Sequence, residues 1–267
     1  MRMAERIQQA PHAVAVERAL AILEALDESR RGLTLSELSR KLAIPKSTTH
    51  VLLQTLERLQ YAERDEGGRR YRIGLRTRIL GHGMARGFTL ADVALAPMQR
   101  LAEELRLTSH LAVLDGLQGV YVQKVEPPGL IRFGTHIGKR MDLHCTAVGK
   151  VLIAFACPET QQRFLAKGAF LRHTPRTIAT ADAMRQEIAR VRRLGYGVDN
   201  EEEEGEVRCF AVPVFYPGLR APAALSVTGT TGQLPMSRGS EVLAHLRRAA
   251  REVEEAAPAS LGRSENA

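Results

Sequence analysis

The residues with the clearest chemistry lie near the front of the chain. Lys46, Ser47, Thr48, Thr49 and His50 are consecutive, and Gln54 follows one helical turn later. Ammonium, hydroxyl, imidazole and carboxamide groups are donors and acceptors suited to phosphate oxygens and base edges in a major groove. Further on, Arg69, Arg70 and Arg72 form a second cationic group, fit for a neighbouring phosphate or a minor groove. The other reactive side chains are sulfur and imidazole: His144 beside Cys145, then Cys157 and Cys209. An adjacent His can lower a thiol pKa. Neighbours in a strand point to opposite faces, however, and no third orienting group is evident, so nucleophilic catalysis is not expected. A redox switch using Cys145 and Cys209 is the alternative reading. A metal site at His144 and Cys145 lacks a compact ligand set in the sequence and ranks below it, so neither a metal nor a cofactor is expected. Neither standard phosphate-cradling glycine loop is present.

The elements around the first cluster suit a groove-reading helix. Val16, Leu20 and Leu23, widened by Ile22 and Leu26, predict a helix over Val14 to Asp27. Leu35, Leu38 and Leu42 predict a second helix from about Ser36, capped by Thr34 or Ser36. Pro45 suits the start of a third, running to about Leu59. Its buried side is expected to be Leu52, Leu53, Leu56 and Leu59, with Ser47, His50, Val51, Gln54 and Arg58 opposite. Two short helices joined by a tight turn after a longer one form a helix-turn-helix pattern. Residues 61–64 and 69–73, around the Asp65–Gly68 turn, read as a hairpin wing. Residues 76–90 read as a helical linker. From Ala91 onward helices and strands alternate, which predicts an α+β domain with a mostly antiparallel sheet and flanking helices. The expected organisation is a flexible 1–13, a winged helix-turn-helix over 14–75, the linker 76–90, a second domain over 91–257 and a flexible 258–267.

Composition agrees with that division. The chain has 267 residues and a formal charge of +8. Residues 1–80 hold 15 Lys and Arg against 10 Asp and Glu, leaving 23 against 20 for the other 187 residues. The front is the more basic region, which fits a polyanionic partner there. Three widely spaced cysteines argue against a disulfide framework. No apolar run is long enough to span a bilayer, and the first residues lack an apolar signal core, so a cytoplasmic protein with no membrane partner is expected.

Several motifs, in order, resemble one family. Ala19–Leu23, the stretch LTLSELSRKLAIPKSTTHVLLQTLERLQYAERD and YRIGLR resemble the DNA-binding domain of IclR-type transcriptional regulators. LHCTAVGKVLIAF (143–155) and GYGVDNEEEEGEVRCFAVPVF (195–215) resemble that family's two effector-domain signatures. The likeness runs over about residues 14 to 257. It implies a GAF-like α/β effector-binding domain, and homodimers or dimers of dimers on palindromic double-stranded operators. It also implies a small organic acid as effector: a sugar acid, an aromatic acid, or a keto or hydroxy acid. Where the family commonly has Arg after the recognition-helix His, this chain has Val51. Where it often has Pro, this chain has Asp142, a charge near the pocket entrance.

The resemblance also implies effector-site positions. Ala147, Val148 and Gly149 would offer helix-start N–H groups to a carboxylate, with Thr146 capping the helix. Asp199, Cys209, Ser226 and Thr228 match the polar positions; Leu130, Phe133, Met141 and Val207 match the apolar wall. Ser226 and Thr228 lie one strand repeat apart and so face the same side. The run Glu201–Glu204 reads as a solvated loop near the pocket. The expected mechanism is allosteric: an acid in the second domain alters the spacing of two recognition helices, with the linker as relay.

Overall fold

The computed structural model describes residues 13–29, 31–65, 67–83, 90–129, 131–219 and 221–257. Leu130, the ends of the chain and residues 84–89 of the expected linker lie outside them. The chain divides into two compact units, Met1–Gly87 and Phe88–Ala267.

In the first unit, helices α1 (Val14–Asp27), α2 (Leu35–Lys41) and α3 (Lys46–Arg58) pack with a small sheet. Its strands are β1 (Leu33–Thr34), β2 (Ala62–Arg64) and β3 (Arg70–Ile73), in the antiparallel order β1-β3-β2. The core is Ile22, Leu26, Leu38, Leu53, Leu56 and Tyr71. α1 buries only part of the expected stripe: Ile22 and Leu26 turn inward together with Ala25, while Val16 and Leu20 are exposed. Leu59 is likewise exposed just beyond α3. α2 begins with a capping box. The Thr34 hydroxyl accepts from the Glu37 N–H at 3.2 Å, and the Glu37 carboxylate accepts from the Thr34 N–H at 2.7 Å. Such a cap contributes about 1 kcal/mol. Gly32 is required where the chain turns towards β1, because its φ is +72° and a Cβ would lie 2.6 Å from the Tyr71 carbonyl. Helix α4 (Leu75–Gly83) follows the wing.

The second unit is built on a six-stranded antiparallel sheet, β6-β5-β4-β9-β8-β7. In chain order its elements are α5 (Leu90–Leu105), β4 (Thr108–Asp115), β5 (Gln118–Val125), β6 (Arg140–Met141), α6 (Ala147–Ala154) and α7 (Pro158–Leu165). Then come α8 (Ala181–Leu194), β7 (Gly197–Asn200), β8 (Val207–Val214), β9 (Ala223–Thr230) and α9 (Gly239–Glu255). Alternation sorts the two faces of the sheet. Leu111, Phe210, Val212, Leu225 and Val227 pack with α5 and α9. Ala112, Ala211 and Ala224 point to the other side, where their small size lets α6 lie close. All eight residues of α6 are buried, between the sheet and α8. A helix surrounded on every side has no amphipathic stripe. Gly149 is needed for this packing, since a Cβ would meet Thr146 Oγ1 at 2.5 Å and the Asp142 carbonyl at 2.7 Å.

Candidate nucleic-acid interface and ligand cavity

Helix α3 sorts the predicted DNA-contacting residues. Lys46, Ser47, His50, Val51, Gln54 and Arg58 are exposed, and Thr48 is half-buried. Thr49 departs from the expectation: it is fully buried, and its hydroxyl donates to the Pro45 carbonyl at 3.1 Å. A hydroxyl at that point, one turn into the helix, bonds locally because the helix-start carbonyls lie within its reach. Thr49 therefore positions the helix and does not present a donor outward.

The wing makes a similar division. The Asp65 carboxylate accepts from the N–H groups of Arg69 and Arg70, each at 3.0 Å, and these bonds hold its pKa below the ordinary value. The Arg70 guanidinium turns back, donating to the Gly32 carbonyl at 2.9 Å and pairing with Glu37 at 3.3 Å. It thus ties the wing to the start of α2, against its expected outward role. Arg69 and Arg72 are exposed.

In the second unit a cavity of about 300 Å³ lies on the α6 face of the sheet. His110, Tyr121, Cys209 and Thr228 line it from the strands; Arg132, Phe133, Gly134, Thr135 and Lys139 line it from the segment between β5 and β6. Glu203, Glu204 and Val207 complete the wall. The polar groups are already organised. His110 Nε2 lies 2.7 Å from the Thr135 hydroxyl, and Cys209 Sγ lies 3.1 Å from the Thr228 hydroxyl. Lys124 Nζ donates to the carbonyls of Phe133 and Thr135, and Lys139 Nζ to that of Gly134. Burial, helped by the Lys124 and Lys139 charges, pulls the His110 pKa down to about 3, so the ring is neutral. Glu203 is exposed as a residue, yet its carboxyl is crowded by protein, which raises its pKa against the pull of Lys139 and His173.

Strand register gathers four of the expected polar positions. Asp199 stands opposite Cys209, Cys209 opposite Thr228, and Ser226 opposite His110. They form one patch on the α6 face. Cys209, Thr228, Phe133 and Val207 line the cavity. Asp199, Ser226 and Met141 are buried and are not among its lining residues. Burial raises Asp199 to about 7, and its carboxylate accepts from the Glu202 N–H at 2.8 Å. Ala147, Val148 and Gly149 are also buried and absent from the lining; the Gly149 N–H is taken by Thr146 Oγ1 at 3.0 Å.

Other lining residues had little signal in the sequence. His110 follows two other polar residues at the start of β4, Tyr121 stands between two valines in β5, and Arg132 and Lys139 belong to a segment with no periodicity. The acidic run is only partly solvated: Glu202 is buried against Lys150, itself fully buried in α6. Lys150 Nζ also donates to the Val198 carbonyl at 2.7 Å and lies 3.6 Å from Glu187. His144 and Cys145 stand in a turn leading into α6, not in a strand. Burial pushes both the Cys145 and Cys209 thiols up, so neither has the electropositive, exposed setting of a redox sensor.

A winged helix-turn-helix with a polar outer helix face, followed by a sheet domain, is the architecture of a DNA-binding regulator. Comparison with known proteins makes the family plain. The profile described as the IclR helix-turn-helix domain matches residues 15–66, and that of the bacterial transcriptional regulator IclR C-terminal domain matches residues 82–255. The chain is 35% identical over 219 residues to the HTH-type transcriptional regulator XynR of Escherichia coli, covering 82% of this chain and 87% of the relative. It is 34% identical over 241 residues to E. coli KdgR, covering 89% and 90%. Among solved structures, an IclR homologue from Microbacterium hydrocarbonoxydans complexed with 4-hydroxybenzoate is similar with a TM-score of 0.80 and 26% identity, covering 90% of this chain and 98% of that one. This chain belongs to the IclR family and is a DNA-binding transcriptional regulator. Among the described residues no helix is long and apolar enough to cross a membrane.

Proposed function

We propose that the cavity takes a small organic acid and that its occupancy sets operator affinity. The observation that carries this reading is the cavity's composition. Two cations, Arg132 and Lys139, line it together with a neutral His110, the hydroxyls of Thr135 and Thr228, the apolar groups of Tyr121, Phe133 and Val207, and Glu203 and Glu204, whose charge the cations offset. The cations suit a carboxylate, and the hydroxyls and imidazole suit a hydroxyl or keto oxygen. Asp199 and Ser226 extend the same patch beneath the cavity, and the similar structure complexed with 4-hydroxybenzoate favours an acid of this size. The carboxylate is held by side-chain cations and not by the α6 start, whose residues are absent from the lining. A thermal-shift screen of small organic acids, begun with 4-hydroxybenzoate, tests it. A binding acid raises the melting temperature of the wild type and not of Lys139→Ala. Equal shifts in both proteins refute this anchor.

On DNA, Lys46, Ser47, His50, Gln54, Arg69 and Arg72 are the contacting groups, with Thr48 at the margin. Val51 offers an apolar contact such as a thymine methyl where a cation would hold a phosphate. A homodimer on a palindromic operator fits the apolar side chains left open on α1 and α4: Val16, Leu20, Leu75, Ile79 and Leu80.

A further inference from the structure

Asp142, His144, Cys145 and His173 each place one donor atom so that all four lie within 4.8 Å of one another. The sequence shows only the adjacent His144 and Cys145. The turn 142–145 and the distant segment around His173 complete the set. We propose that these four side chains form a tetrahedral site for a divalent transition-metal ion of the zinc class.

The donor chemistry fits such an ion. Two imidazoles, a thiolate and a carboxylate are borderline-soft ligands, and the two anions balance a dication. Donors across a tetrahedral zinc site stand about 3.5 Å apart, so closure asks for side-chain movements of about 1 Å. The outer contacts are in place. His144 Nε2 lies 2.8 Å from the Leu171 carbonyl; with the proton on that nitrogen, the lone pair stands on Nδ1. His173 Nε2 already lies 3.1 Å from Asp142 Oδ2. Phe170 stacks on His144 and fixes the ring plane. Burial favours the neutral Cys145 thiol when no cation is present, and a bound dication supplies the partner that a buried thiolate needs.

The site would clamp two parts of the second unit. One is the turn that starts α6. The other is the segment carrying His173, whose neighbours Thr174 and Thr177 donate to the carbonyls of Glu201 and Glu202, each at 2.6 Å. Glu203, next in the chain, lines the cavity. The metal therefore stiffens one wall of the cavity without entering it.

Cobalt(II) titration of the metal-free, untagged full chain tests the site. The expected result is one equivalent bound, with the intense visible bands of tetrahedral cobalt and a thiolate charge-transfer band, both lost when zinc is added. Cys145→Ser removes the charge-transfer band. Asp142 and His173 are partly exposed, so Asp142→Asn and His173→Gln leave the fold intact; each weakens binding at least about tenfold, the lower limit for losing even an outer-shell partner. Cys157→Ser, at an exposed cysteine, leaves the spectrum unchanged. Absence of tetrahedral bands, or bands that survive both Cys145→Ser and His173→Gln, overturns the proposal.

Discussion

The outer face of α3 and the cavity of the second unit are both polar, but they are prepared for different partners. On α3, Lys46, Ser47, His50 and Gln54 face solvent, and a polyanion must supply the complement. In the cavity, the imidazole and the thiol are already hydrogen-bonded to hydroxyls and the Lys139 ammonium to a backbone carbonyl, and burial keeps His110 neutral. The first surface gains affinity mainly from charge and counterion release. The second gains it from preorganisation within a low-dielectric wall. Perturbing each should therefore produce a different signature.

The largest expected effect is on the support of the cavity. Lys150→Met leaves Glu202 buried without its cation, and breaking such a pair costs about 3–5 kcal/mol. Thermal melting of the isolated variant should fall steeply; an unchanged melting temperature would remove Lys150 from the account. Next is Thr228→Leu, which fills the cavity beside Cys209 and should weaken acid binding by about 1–3 kcal/mol through lost hydrogen bonds. Calorimetric titration measures it, while DNA binding in the absence of acid stays as in the wild type.

On the DNA side the effects are smaller and uniform. Arg69→Ala should lower the slope of log affinity against log salt by about 1. Arg70→Ala should leave that slope nearly unchanged, because its guanidinium is tied to Gly32 and Glu37. Equal slopes for the two variants would erase the distinction drawn within the wing.

The pH dependence of the unmutated protein is small, because two buried groups oppose each other. His110 titrates near 3 when folded and 6.5 when unfolded, so the unfolded chain binds the extra proton and stability is lost as pH falls through that range. Asp199 titrates near 7 when folded and 3.8 when unfolded, so the folded chain holds the extra proton and stability is lost as pH rises through that range. Asp199→Asn, which keeps an oxygen for the Glu202 N–H, should make the melting temperature climb more steeply with pH between 3.8 and 7. His110→Gln should do the reverse.

Much of the first unit was legible because its signals are local. The Thr34 cap, Pro45, and Leu53 and Leu56 of α3 lie within a few residues of what they specify. The errors there concern rotation about an axis: α1 is apolar on more than one side, and only packing decides that Ala25 joins Ile22 and Leu26 inside while Val16 and Leu20 stay exposed. The second unit was legible as elements and motifs but not as a site. Cys209 and Thr228 belong to recognisable strands, whereas His110, Arg132 and Lys139 meet them only through the sheet order. α7 and β7 are short, with only two repeats of their period each, and carry a weak signal. The cluster at Asp142, His144, Cys145 and His173 depends on contacts across 31 positions of chain, beyond the reach of any spacing rule.

The central claim is that occupancy of the cavity controls the DNA-reading face. Its most direct test is fluorescence anisotropy of the full chain on duplexes from upstream of its own gene, with and without small organic acids, 4-hydroxybenzoate first. The account predicts sequence-preferring binding whose Kd shifts by about 5- to 150-fold with a binding acid, and a Thr228→Leu protein that binds DNA normally but no longer shifts. An acid that binds in the cavity and leaves the operator Kd unchanged would contradict it.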